Sequence, residues 1–161
     1  MEQAESTSAN EHELVIDLVL DAPRHAIYRC WTEPKLLIQW FTPKPWSTVR
    51  AELDVRPGGA SNVTMRSPEG EETLHPGVYL EVVPNERLVF TDAFGPGWTP
   101  KEGPPFMVGS ILLSDEADGK TRYVAKASHW TKEAREQHEK MGFHEGWTAA
   151  SRQLEALART I

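Results

Sequence analysis

Six histidines are the residues of this sequence best suited to bind a metal or to carry a proton near neutral pH. His138 and His144 fall in the C-terminal stretch, with Glu139 and Glu145 beside them. Two ligands on one helix need a spacing of three or four residues, whereas these histidines are six positions apart. The spacing therefore predicts no metal site, and we expect no other cofactor. His129 and His144 are instead candidates for polar contacts inside a pocket, with an exposed or hydrogen-bonded role as the alternative.

Candidate acids and bases are present, but none is at a spacing that requires catalysis. They are Tyr79, Tyr123, His129, His144 and Glu145. Cys30 lies next to Trp31 without an adjacent base, which is typical of a small buried hydrophobic residue rather than a nucleophile. The sequence has no G-x-S-x-G, P-loop or G-x-G-x-x-G motif, so the commonest hydrolase and nucleotide-binding signatures are missing. No catalytic residue is predicted.

Aromatic and methionine side chains indicate a pocket for an apolar ligand. The chain has six tryptophans, whose large, stiff rings and N–H groups suit a mostly apolar pocket, and methionine adapts to irregular ligands. Plain core packing is the alternative for each of these residues taken singly, so the prediction concerns the set. The candidate ligand-binding residues are Trp40, Met65, Phe90, Trp98, Phe106, His129, Met141, Phe143, Trp147 and Ala150.

The elements that must position these side chains follow from hydrophobic spacing. Apolar residues recur at every second position from Leu14 to Leu20, which predicts a half-buried first strand over 13–21. Two short helices are expected next, over 23–31 and 34–40, with Asp21 as the N-cap of the first. Turn signals then separate predicted strands near 47–55, 59–67, 72–83, 86–93, 106–115 and 120–130, with an irregular loop over 95–105.

From Thr131 to the C-terminus, apolar residues recur at spacings of three and four, which predicts one long amphipathic helix. Gly142 and Gly146 lie within it, and each costs up to about 1 kcal/mol relative to alanine in a helix interior. They indicate either a kink or a close approach to the helix backbone. The order of strand, two short helices, six strands and a long helix predicts an α+β fold with one curved antiparallel sheet.

Composition and charge limit the classes of partner. The net charge of −7 opposes attraction to nucleic acid or anionic membrane, so neither is expected to bind. Cys30 is the only cysteine, which excludes an intrachain disulfide and favours a cytoplasmic protein. No apolar run approaches the ~20 residues of a membrane span. We expect a disordered polar tail over 1–12 and a single domain over 13–161.

Five segments together resemble the START-like, or polyketide-cyclase-like, superfamily (SRPBCC, helix-grip), and within it the family of the activator of the heat-shock protein 90 ATPase. The resemblance runs from about residue 13 to the C-terminus and depends on the ordered set rather than on one motif. The segments are APRHAIYRCWTEPKLLIQWFTP (22–43), DVRPGGASNVTMRSPEG (54–70), HPGVYLEVVPNERLVFT (75–91), GKTRYVAKASH (119–129) and GFHEGWTAASRQLEAL (142–157).

The resemblance implies a helix-grip fold, in which a curved seven-stranded antiparallel sheet wraps around a long C-terminal helix, with two short helices between strands 1 and 2. It also implies an apolar or amphipathic ligand, lipid-like or polyketide-like, bound between sheet and helix. Two alternatives stay open: an enzyme of the cyclase or dehydratase kind using the same cavity, and a co-chaperone-like protein interaction module. A homodimer and a chaperone partner are further hypotheses.

Overall fold

The computed structural model describes residues 10–161, so the predicted tail lies outside the described residues except for its last three positions. The helices are α1 Arg24–Thr32, α2 Pro34–Leu37, α3 Lys132–Lys140 and α4 Phe143–Ala158. The strands are β1 Glu13–Leu20, β2 Ser47–Leu53, β3 Ser61–Arg66, β4 Glu72–His75, β5 Val78–Val83, β6 Arg87–Thr91, β7 Phe94–Gly95, β8 Thr99–Pro100, β9 Val108–Asp115 and β10 Thr121–Ser128. The α+β class and the two short helices after the first strand are confirmed.

The prediction of a single seven-stranded sheet is wrong, because the strands form separate antiparallel sheets. Five strands form the main sheet in the order β1-β10-β9-β6-β5, and three form a small sheet in the order β2-β3-β4. The predicted strand over 72–83 divides at Pro76 and Gly77, since proline has no N–H to continue a ladder. A β7–β8 hairpin with two residues in each strand replaces part of the loop expected over 95–105.

The two larger sheets are joined by backbone hydrogen bonds at that break and just after it. The Gly58 N–H donates to the Tyr79 carbonyl at 2.8 Å, and the Tyr79 N–H donates to the Gly59 carbonyl at 3.0 Å. A third bond runs from the Ser61 N–H to the Gly77 carbonyl at 2.9 Å. Gly77 is required here, because a Cβ atom would lie 2.7 Å from the Thr91 carbonyl oxygen.

The long C-terminal helix is interrupted, so the prediction of one continuous helix is also wrong. Thr131 caps α3 by accepting a hydrogen bond from the Ala134 N–H at 3.0 Å. Gly142 then adopts the left-handed conformation, with φ of +96°, and α4 begins at Phe143. Helical φ values are negative, and a left-handed residue ends a helix, so the glycine produces a sharp break rather than a kink.

The core lies between the main sheet and the second half of α4, which also packs against α1. Leu154 and Ala158 of α4 are buried there together with Leu20 and Ile27. Asp21 does not cap α1, as the sequence suggested, because Pro23 occupies the N-cap position. The Asp21 N–H instead donates to the Glu155 carboxylate at 2.7 Å, tying the end of β1 to α4. Within residues 10–161, no helix has the length and hydropathy needed to cross a bilayer.

The contrasting roles of the two helix glycines lead to the first prediction. Gly142→Ala is expected to lower the free energy of unfolding by about 1–2 kcal/mol, because an L-residue is strained at positive φ. Gly146→Ala is expected to raise it by about 0.5–1 kcal/mol, because Gly146 lies inside α4 and a Cβ atom added there would come no closer than 4.0 Å to Pro43. Urea unfolding of the two matched variants measures both changes, and shifts of the same sign would contradict the assignment.

Candidate functional site

A cavity of about 610 Å³ lies between the small sheet, one end of the main sheet and the C-terminal helices. Its volume is within the range of typical small-molecule pockets, about 300–1,000 Å³. The small sheet contributes β3 and the end of β4, and the main sheet contributes the end of β6. The end of α3, the first two turns of α4 and the segment 41–43 form further parts of the wall, together with loop residues Pro76, Gly77, Asp92, Lys101, Phe106 and Met107.

Aromatic rings form much of this wall, and the Trp31 ring packs against three of them from the core side. The Trp147 ring stacks on Trp31, with centroids 6.2 Å apart and an interplanar angle of 9°. Trp31 also contacts Phe41 and Phe90, at centroid distances of 5.6 and 5.8 Å. Phe90 lies across Gly109 of the neighbouring strand, where a Cβ atom would come within 2.4 Å of the ring. The missing side chain at Gly109 thus makes room for one wall of the cavity.

Gln153 holds the segment 41–43 against α4. Its amide nitrogen donates to the carbonyls of Trp40 and Thr42, both at 2.8 Å. Its amide oxygen accepts from the Lys44 N–H at 3.3 Å. The side chain of Gln153 therefore satisfies three backbone groups of a loop that forms part of the cavity wall.

The loop that follows β6 is fixed at the rim by Asp92. Its carboxylate accepts hydrogen bonds from the backbone N–H groups of Phe106, at 2.9 Å, and Met107, at 3.2 Å. The Thr91 hydroxyl donates to the Met107 carbonyl at 2.9 Å. These bonds hold Phe106 and Met107 on the cavity wall. Lys101, also at the rim, donates to the Pro76 carbonyl at 3.2 Å.

Two histidines contribute polar groups to the wall. His75 is at the end of β4, and desolvation by the surrounding wall lowers the pKa of its imidazole. His138 is buried in the last turn of α3, and its ring lies 4.6 Å from that of Phe106. Behind it, the Nε2 atom of His129 lies 2.8 Å from the Nδ1 atom of His138. Burial, and secondly the neighbouring His129 ring, lower the pKa of His138 to about 4.

Seven of the ten predicted binding residues lie on the cavity wall, although their binding of a ligand stays a prediction. They are Met65, Phe90, Phe106, Met141, Phe143, Trp147 and Ala150. Trp40 lies behind the wall, where it is almost fully buried and its indole N–H donates to the Cys30 carbonyl at 2.9 Å. Trp98 lies away from the cavity, over Gly58. His129 does not line the cavity; it lies behind His138 and Phe106, to which its ring is adjacent.

The other acid and base candidates lie off the wall. Tyr79 and Tyr123 are buried in the core, and burial raises the pKa of Tyr79 to about 12 and that of Tyr123 further still. Glu145 and His144 lie on α4 but do not line the cavity, and His144 is 3.6 Å from the Glu139 carboxylate. Burial likewise raises the pKa of the Cys30 thiol to about 11.

Sequence reasoning missed several wall residues and the residues that support them. His138 was considered only as a metal ligand, although it lies one turn before Met141 on the same helix face. Leu74 and Pro76 lie in a stretch that looks like a continuous strand. Asp92 and Gln153 have no local signal, because their partners are distant in the sequence. Within residues 10–161, His, Cys, Asp and Glu side chains form no group of three or more that could hold a metal ion.

Comparison with known proteins extends over nearly the whole chain. The family model described as "Activator of Hsp90 ATPase homolog 1-like protein" matches residues 21–159. The crystal structure of a protein from Nitrosomonas europaea is similar, with 41% identity, a TM-score of 0.89 and coverage of 93% of this chain and 96% of that one. The crystal structure of a Mycobacterium smegmatis protein has 25% identity and a TM-score of 0.75, covering 91% and 90%.

A more distant likeness shows the fold alone. The solution structure of an AHSA1-like protein from Aeromonas hydrophila has 15% identity and a TM-score of 0.69, with 92% of each chain covered. The comparison with curated proteins gave no match.

The lowered pKa of His138 predicts a loss of stability in acid. Between its usual value, near 6.5, and about 4, the unfolded chain binds more protons at this site than the folded protein does. The free energy of unfolding should therefore fall as the pH falls through this window and level off below it, by roughly 1–3 kcal/mol.

His138→Asn removes the titrating ring and is expected to flatten this decline, and urea unfolding at a series of pH values measures it. His144→Asn is the control, because that side chain is half-exposed and off the cavity wall. An unchanged acid slope in the His138 variant would show that other groups cause the decline.

Proposed function

This chain belongs to the Activator of Hsp90 ATPase homolog 1-like family, and on that premise we propose that it binds an apolar or amphipathic small molecule in the cavity. The START-like fold family to which these proteins belong often binds hydrophobic ligands. The ligand would lie between the small sheet, the end of the main sheet and the first two turns of α4.

The observation that carries the proposal is the open volume of about 610 Å³ inside an apolar wall. A solid core is the competing interpretation of the same aromatic and methionine residues. Side chains that only filled a core would pack at crystal-like density and leave few voids larger than a water molecule. The open volume therefore favours a ligand.

Exposed apolar side chains at the cavity support the same proposal. Leu74, Phe106 and Met141 are among the exposed large hydrophobic residues, and all three line the cavity. A ligand in the cavity would cover part of this surface, which stabilises the complex by about 25 cal/mol for each Å² removed from water.

Gly146 offers a sharp test, because a side chain there would project into the cavity wall without meeting a close neighbour. Gly146→Leu is expected to weaken uptake of an apolar probe about tenfold, since the leucine occupies ligand space, while helix propensity keeps the protein folded. Gly146→Ala is the matched control and should keep most of the affinity. The probe is 4-octylphenol, followed by tryptophan emission, to which Trp147 on the cavity wall contributes.

A native mass spectrum of the purified protein is the second measurement, with a co-purified small-molecule mass as the expected result. Two outcomes would contradict the proposal. One is that wild-type protein carries no co-purified mass and shows no change of emission with 4-octylphenol. The other is that Gly146→Leu binds the probe as tightly as Gly146→Ala.

A further inference from the structure

A chain of hydrogen bonds leads from the backbone of His12 to the cavity. Glu13 pairs with Ser128 at the end of the β1–β10 ladder, which places the preceding His12 opposite the following His129. The His12 carbonyl lies 2.8 Å from the backbone nitrogen of His129 and 2.9 Å from its Nδ1 atom. A carbonyl oxygen accepts hydrogen bonds and donates none. The Nδ1 atom of His129 must therefore carry a proton.

That proton determines the direction of the next hydrogen bond. In a neutral imidazole, one nitrogen is a donor and the other an acceptor, so the Nε2 atom of neutral His129 is an acceptor. It lies 2.8 Å from the Nδ1 atom of His138, which must therefore donate. The Nε2 atom of His138 is then left with an unprotonated lone pair. Burial of His138 disfavours its cationic form, so its Nε2 atom stays unprotonated as long as its Nδ1 atom donates to His129.

The remaining nitrogen of His138 belongs to the cavity. The ring forms part of the wall and lies between Phe106 and Phe143, at centroid distances of 4.6 and 5.1 Å. Among the described residues, the only hydrogen-bond partner of this ring is His129, through the Nδ1 atom. Its Nε2 atom is not among the fully enclosed side-chain atoms that lack a partner, so it is accessible, and a donor on a bound molecule can take the place of water there.

We propose that the Nε2 atom of His138 is the polar anchor of the cavity, a fixed hydrogen-bond acceptor that selects amphipathic ligands carrying a hydroxyl group, such as phenols or alcohols. This inference rests on the proposed ligand-binding function and specifies its ligand class. An ether of the same shape has no proton to donate, and an ionised carboxylate is acceptor-only. His129 is a positioning residue, because it sets the tautomer of His138 without reaching the ligand.

Three matched probes test the proposal: 4-octylphenol, its methyl ether 4-octylanisole and 4-octylbenzoate. Wild-type protein is expected to bind the phenol about two- to tenfold more tightly than the ether, as one neutral hydrogen bond provides, and to bind the benzoate more weakly than the phenol. Equal affinities for phenol and ether would overturn the inference and leave the proposed function standing, since both probes would have bound.

Two substitutions of His138 distinguish the roles of its two ring nitrogens. His138→Asn keeps an amide nitrogen near the Nδ1 position, so it can still donate to His129, but it places nothing at the Nε2 position. It should bind phenol and ether equally. His138→Gln places an amide oxygen near the Nε2 position and should retain the preference. His144→Asn, off the cavity wall, is the control and should behave as wild type. A phenol preference that survives His138→Asn would place the anchor elsewhere.

Nitrogen-15 NMR of the ligand-free protein identifies which nitrogen of each imidazole ring carries the proton. The expected result is a proton on the Nδ1 atom of both His129 and His138. A proton on the Nε2 atom of His138 in the free protein at neutral pH would overturn the inference. If all three probes fail to bind and no small molecule co-purifies while both rings show the Nδ1 tautomer, the proposed function and the inferred ligand class fail together, although the chain of hydrogen bonds from His12 to His138 is correct.

Discussion

The cavity depends on a gap in the strand ladder at Pro76 and Gly77. Proline cannot donate to a neighbouring strand, and the close contact of Gly77 with the Thr91 carbonyl leaves no space for a side chain. The ladder therefore stops, and a few backbone bonds, made by Gly77 and Tyr79 with the 58–61 segment, join the small sheet to the main one. Both Pro76 and Gly77 line the cavity that lies between the two sheets.

Other glycine and proline residues that line the cavity likewise lie where regular structure ends or lacks a side chain. Gly142 ends α3 with a left-handed backbone, and Pro43 lies in the irregular segment after α2. Gly146, at the end of the first turn of α4, has no side chain to occupy the cavity. Gly146 costs helix stability locally. The packed core beneath the second half of α4 offsets that cost, which is why the openings are tolerated on one side of the fold.

Local pattern was enough to predict the buried face of β1, the two short helices and seven of the residues on the cavity wall. It was not enough for the division of the sheet, because a strand pairs according to backbone bonds formed with distant residues. The presence of Gly142 was informative, but the sign of its φ angle cannot be read from sequence. His138 was missed as a pocket residue, since its role depends on His129 and on a strand register set by β1.

The helix α4 serves two purposes along its length. Its first two turns present Phe143, Trp147 and Ala150 to the cavity. Its later turns bury Ser151, Leu154 and Ala158 in the solid core, and Glu155 ties them to the end of β1. Phe143 and Ala150 are themselves buried in the core cluster, so the cavity wall and the core share side chains at the start of the helix. The later turns add burial that a ligand would not touch.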